Sequence, residues 1–174
     1  MINKRNWLLT FILTAFVSGL APMIFADPGV GKPAPGLVIT ELGGRPFDLS
    51  AEQGKVVIVD YWAYWCPPCR AEMSEIDKFY GLYSSKGVEV IAVSVDGTHD
   101  RKSVTKAMQN YSFPAAMMID AKVNGFGEPD VLPTTYIVDT KGKIAAEFRS
   151  GKPKVTEQLL DNVITPLLPE QPSQ

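Results

Sequence analysis

The stretch Lys55-Val56-Val57-Ile58-Val59-Asp60-Tyr61-Trp62-Ala63-Tyr64-Trp65-Cys66-Pro67-Pro68-Cys69 decides the fold. Its first half is a continuous β-branched run, the pattern of a strand buried on both faces. Its second half turns into two cysteines spaced by two prolines. From Pro67 onward, Met73, Ile76, Tyr80 and Tyr83 recur at helical spacing, so a helix starts at the cysteines. Prolines are tolerated there because the first N–H groups of a helix have no intrahelical partner.

Working outward, Gly87 ends that helix, and Val88 to Val95 reads as the next apolar strand. Thr98 or Asp100 caps a second helix with Val104, Ala107, Met108 and Tyr111 on its apolar face. Pro114 breaks it. Ala116 to Ile119 reads as a short strand and residues 120–130 as irregular. Thr134–Val138 and Ile144–Phe148 flank Thr140-Lys141-Gly142-Lys143, a hairpin signal. Val155, Leu159, Leu160, Val163 and Leu167 mark a last amphipathic helix. Upstream, Leu37–Thr40 and Arg45–Leu49 flank Gly43-Gly44 as an N-terminal hairpin. This order predicts an α/β fold: a central mixed sheet, parallel at its core with an antiparallel edge, flanked by helices on both faces.

The 174 residues suit one domain, and 45% hydrophobic with 21% charged residues is the balance of a folded chain. The expected domain spans 37–168, after a linker at 27–36 and before a loose tail at 169–174. Residues 1–26 differ from the rest. Lys4 and Arg5 precede Trp7–Phe25, which carries no charge, and Ala26 follows. That layout predicts a secretory signal cleaved after Ala26 or, if uncleaved, a membrane anchor. Either implies export to the periplasm or an equivalent space. Membrane association is expected only if the segment stays on. Without residues 1–26 the net charge moves from −2 to −4. A nucleic-acid partner is not expected, since it calls for a basic patch.

Both cysteines of the chain sit in one C-P-P-C. A bridge across so short a loop adds little stability, so a structural staple explains the pair poorly. Redox chemistry explains it better. A helix N-terminus stabilises a thiolate through partial positive charge and free N–H donors. Cys66, at the loop-to-helix junction, is the expected exposed nucleophile. Cys69, one turn inward, is the expected covered, resolving thiol. Pro67 and Pro68 remove two N–H donors from the thiolate, which favours a reducing pair. No cofactor or metal is expected: zinc needs about four ligands, and beyond two thiols the chain has one histidine, His99.

Val59 to Cys69 resembles the thioredoxin active-site segment, and the wider likeness is to the exported TlpA/ResA-like reductases. Pro35-Gly36-Leu37 with Gly44–Leu49 resembles that family's N-terminal hairpin. Arg70-Ala71-Glu72-Met73 resembles its post-motif helix. Val131-Leu132-Pro133-Thr134-Thr135-Tyr136 resembles its cis-proline segment, and Lys141-Gly142-Lys143-Ile144 the turn after it. The resemblance implies a thioredoxin fold and a thiol–disulfide oxidoreductase, most simply a protein-disulfide reductase. It implies Pro133 as a cis-proline against the disulfide, and the Leu132 backbone as a pairing site for extended substrate. It implies Asp60 as a proton relay for Cys69, where TlpA/ResA-like members often carry asparagine. It implies Glu72 as an acid tuning the cysteines. Trp65, beside Cys66, is a candidate substrate platform. Implied partners are protein disulfides, with apocytochrome c and metal-site cysteines as clients, and a membrane thiol reductase as electron donor.

Each residue also has a plainer reading. Asp60 serves as a satisfied buried polar group, Glu72 as an ordinary first-turn acid, Pro133 as a trans loop proline, and Trp62 and Trp65 as packing. His99 reads as a surface loop residue. At the level of function, the alternatives are a disulfide oxidase or isomerase, a copper chaperone and a peroxiredoxin. The proline pair argues against the first. The C-x-x-C spacing argues against the second, which usually has C-x-x-x-C plus a distant histidine. The paired cysteines argue against the third.

Overall fold

A computed structural model describes residues 29–169. The expected signal at 1–26 lies outside the described residues, as do residues 27–28 of the expected linker and all of the expected tail after Pro169. The strands are β1 (Leu37–Glu41), β2 (Pro46–Asp48), β3 (Val56–Trp62), β4 (Val88–Ser94), β5 (Ala115–Asn124), β6 (Thr134–Val138) and β7 (Ile144–Arg149). The helices are α1 (Pro67–Tyr83), α2 (Arg101–Met108) and α3 (Glu157–Ile164). All seven strands form one mixed sheet in the order β2-β1-β5-β4-β3-β6-β7. β3 pairs with β4 in parallel and with β6 antiparallel. Every residue of β3 is buried, as its unbroken apolar run requires.

The mixed sheet flanked by helices is the architecture expected. The helices, however, are not divided between two faces. Met73, Ile76 and Phe79 of α1, Val104 of α2, and Leu160 and Ile164 of α3 all join the core built on Val56, Ile58 and Trp62. The handedness of the connections explains this. β3-α1-β4 and β4-α2-β5 step in the same direction along the sheet, and right-handed crossovers in one direction land on one face. On the opposite face, Val57, Val59 and Tyr61 share a second core with Leu37, Ile39, Phe47 and Leu49, and Phe126 packs against it. Each large apolar side chain buried in these layers contributes about 1.5–3 kcal/mol.

Two further elements differ from expectation. β5 runs to Asn124, well past the apolar Ala116–Ile119, because β1 supplies an antiparallel partner along residues 116–124. That pairing is interrupted by register shifts, so Asp120 and Lys122 do not show clean alternation. α2 ends at Met108, leaving Tyr111 outside it, where its hydroxyl donates to the Arg70 carbonyl at 3.2 Å. Residues 31–34 lie along the start of β7: Gly31 N–H donates to Ile144 O, and Ala34 N–H to Gly142 O.

Candidate active site

β3, an interior strand, ends at Trp62, and Ala63-Tyr64-Trp65 turns the chain into α1. Cys66 is the N-cap of α1, with Pro67 and Pro68 as its first two helical residues. Prolines have no N–H, so the first backbone donor of this helix is at Cys69. That N–H donates to Cys66 Sγ at 3.3 Å. Cys66 and Cys69 are joined by a disulfide.

Cys69 is fully covered, as expected. Cys66 is not the exposed residue the sequence suggested: only 4% of its surface is accessible. Its sulfur is turned onto Cys69, its N–H donates to Ala63 O at 3.1 Å, and its side chain belongs to the α1-side core. The exposed group is its neighbour Trp65, with 62% of its surface accessible.

Behind the dithiol, three polar side chains are buried in the same layer. Asp60 of β3 lies opposite Thr135 of β6 in the antiparallel ladder, on the sheet face that α1 covers. Glu72 comes from α1, one turn beyond Cys69. The Thr135 hydroxyl is 3.2 Å from Asp60 Oδ1 and also hydrogen-bonded to Glu72 Oε1. Burial pushes the Asp60 carboxyl well above its ordinary range. The negative charge of Glu72 pushes it further, and the Thr135 hydrogen bond partly offsets both. Burial also raises Glu72, again partly offset by Thr135. Asp60 Oδ2 is buried without a hydrogen-bond partner among the described residues.

The Leu132–Pro133 peptide bond is cis. Pro133 is buried, its carbonyl accepts from Ser150 N–H at 2.8 Å, and Leu132 packs against the core that contains both cysteines. His99 is not part of this assembly. It sits on the short 3-10 turn Thr98–Asp100, in a groove lined by Arg101, Lys102 and Lys106 of α2.

This geometry, a cysteine pair at a helix start with two buried carboxyls behind it, suits two-electron exchange between sulfurs. Comparison with known proteins agrees. Residues 30–147 match the AhpC/TSA family. The thiol-disulfide oxidoreductase ResA of Bacillus anthracis is 32% identical, over 91% of this chain and 95% of the relative. The chain belongs to the AhpC/TSA family of the thioredoxin superfamily, and it is a thiol–disulfide oxidoreductase. Among solved structures, a secreted thiol-disulfide isomerase from Corynebacterium glutamicum is 26% identical, with a TM-score of 0.62 over 77% of this chain and 84% of that one. A thioredoxin family protein from Chlorobium tepidum TLS shares the fold, with a TM-score of 0.66 at 22% identity over 82% of this chain and 99% of that one.

Two residues of this oxidoreductase site have no role in the sequence reading. Thr135 enters it only as part of the family segment. The signal is present: a hydroxyl in the apolar run Thr134–Val138, at the position the sheet register sets against Asp60. Asp96 does not enter it at all. It is buried just beyond β4, and its Oδ2 accepts from Tyr64 N–H at 2.9 Å and from Ser94 Oγ at 2.7 Å. An acid directly after an apolar strand, two residues from a serine, is the pattern that marks it.

Proposed function

We propose that this oxidoreductase works as a reductase of protein disulfides outside the cytoplasm. The observation that carries the reading is the capping of Cys66. Of the first three helical positions of α1, Cys69 alone has an N–H, and among the described residues it is the one donor found on Cys66 Sγ. A thiolate with fewer donors is less stabilised, which makes the reduced form a better electron donor.

In this reading Cys66 is the nucleophile. Its thiolate attacks a client disulfide and forms a mixed disulfide. Cys69 resolves it, and two electrons pass to the client. Asp60 relays the Cys69 proton, since a carboxyl raised by burial suits acid–base work near neutral pH. Glu72 tunes the pair. Trp65 offers an apolar platform, and the Leu132 main chain, next to cis-Pro133, pairs with an extended client segment. The clients are protein disulfides, with the haem-attachment cysteines of apocytochrome c and oxidised metal-site cysteines as the classes in view. A membrane thiol reductase recharges the dithiol. Support for export comes from the basic start and uncharged Trp7–Phe25, and from the secreted relative at 26% identity.

The test is the reduction potential of the Cys66–Cys69 couple, read by equilibrating the full chain in thiol buffers. A value near that of thioredoxin, about −270 mV, is expected. A value near about −120 mV, the regime of a strong oxidant, overturns the reading in favour of disulfide insertion.

A further inference from the structure

Asp60, Thr135 and Glu72 arrive from β3, β6 and α1, and at most 3% of any of them is accessible. The Thr135 hydroxyl touches both carboxyls, Asp60 Oδ1 at 3.2 Å and Glu72 Oε1 more closely. A hydroxyl has one hydrogen to donate. With both carboxyls ionised, one of these two contacts would press acceptor against acceptor, in a site where an uncompensated charge is costly. With one proton on the pair, each contact contains one hydrogen. The protonated carboxyl donates to Thr135 Oγ1, and Thr135 donates to the other carboxylate.

We propose that Thr135 is a positioning residue that joins Asp60 and Glu72 into a single unit holding one shared proton in the disulfide-bonded protein. Among the described residues, β4, β7, α1 and the segment after α2 bring groups to the unit. Asp60 is in register with Ala92 of β4 as well as with Thr135, and Thr135 faces Phe148 of β7 across the ladder. α1 brings Cys69 and Glu72. From beyond α2, Tyr111 feels the charge of Asp60. The direction of the carboxyl shifts agrees: burial and the Glu72 charge both favour a protonated Asp60.

The role of the unit in turnover rests on the proposed reading of Cys69 as the resolving thiol. In that step the Cys69 S–H proton passes to the ionised member of the pair. Cys69 Sγ bonds to Cys66 Sγ, the bond between Cys66 and the client sulfur breaks, and the client sulfur leaves as a thiolate with the electron pair. The unit then holds two protons and returns one to solvent. Burial makes a carboxylate of this unit a better proton acceptor than a lone exposed one, because desolvation disfavours its charged form.

The experiment is a carboxyl-carbon NMR titration of the full chain in its oxidised form, for the wild type and for T135S, T135V and E72Q. In the wild type, the Asp60 and Glu72 signals are expected to follow the same two steps, separated by more than about one pH unit. T135S, which keeps the hydroxyl, stays on the wild-type curve. T135V, which keeps the shape and loses the hydroxyl, moves the lower step upward. T135A gives the same reading if T135V does not fold. E72Q leaves Asp60 a single step below its wild-type upper step. Independent single-step titrations in the wild type overturn the proposal, as does a hydroxyl-free variant that superimposes on it. No client and no electron transfer enter the measurement. It therefore fails or succeeds separately from the reductase reading, which the reduction potential decides.

Discussion

The backbone N–H of Tyr64 donates to Asp96 Oδ2 at 2.9 Å, which fastens the turn before Cys66 to the end of β4. Val95 N–H, donating to Trp62 O at 2.9 Å, is the second tie between the same segments. The same Asp96 oxygen also accepts from Ser94 Oγ, so one carboxylate organises both sides of the junction.

Asp96→Ala removes the acceptor and leaves the Tyr64 N–H and the Ser94 hydroxyl without their partner. Losing a buried partner of this kind costs about 1–3 kcal/mol. The expected result is a lower melting temperature together with slower disulfide exchange, because Cys66, the proposed nucleophile, is carried on the loosened turn. Asp96→Asn retains an acceptor and is expected to lose less of both. Thermal unfolding and dithiol-dependent reduction of a model disulfide protein check this. Equal loss in the two variants would mean that the negative charge, not the hydrogen bond, holds the turn.

Pro68→Ala places an N–H at the second position of α1, where capping donors normally reach the N-cap side chain. Cys66 occupies that N-cap and already accepts from Cys69. A further hydrogen bond to a charged group is worth about 1.5–3 kcal/mol. For a two-electron couple that raises the potential by roughly 30–60 mV. Redox equilibration of the variant reads the shift directly, and an unchanged potential would remove the basis for a reducing pair.

How far the sequence alone carries the reading follows from what each element depends on. β3, α1 and the C-P-P-C junction are local patterns: a continuous apolar run, a helical repeat and prolines where a helix tolerates them. They are legible down to individual residues. The extension of β5 to Asn124 is not, because it depends on pairing with β1, whose register shifts blur the alternation of Asp120 and Lys122. Likewise Cys66 reads as exposed from its place at a helix start. Its burial depends on the disulfide and on the turn folding back to accept its N–H at Ala63 O. Asp60 and Glu72 are visible as candidates. The hydroxyl between them is not, because Thr135 joins them only through the β3–β6 register.

Trp65 stands 62% accessible beside a nearly covered Cys66. A large apolar side chain in that position buries little on folding and much on binding. Trp65→Ala is expected to leave stability within about 0.5 kcal/mol of the wild type, as for surface positions in general. It is expected to raise KM for a protein client while leaving the reaction with a small dithiol unchanged. A parallel loss with both substrates would instead assign Trp65 to shaping the Cys66 turn.

Asp60→Asn tests the cost of the buried carboxyl through pH. Both Asp60 and Glu72 have folded-state pKa values raised by burial, so the folded chain binds protons more tightly than the unfolded one. Stability from this source is fullest below the unfolded carboxyl value of about 3.9 and falls as pH rises through the raised folded value. Each unit of raised pKa costs about 1.4 kcal/mol once the pH exceeds it. Asn keeps the size of Asp60 and has no proton to lose, so the variant gains stability mainly at high pH. A melting temperature several degrees above wild type at pH 8, narrowing toward pH 4, is the expected pattern, at about 2–4 °C per kcal/mol for a chain of this size. A difference of the same size at both pH values would show that the substitution acts through packing. In that case Asp60 is ionised in the folded protein no less readily than in the unfolded chain.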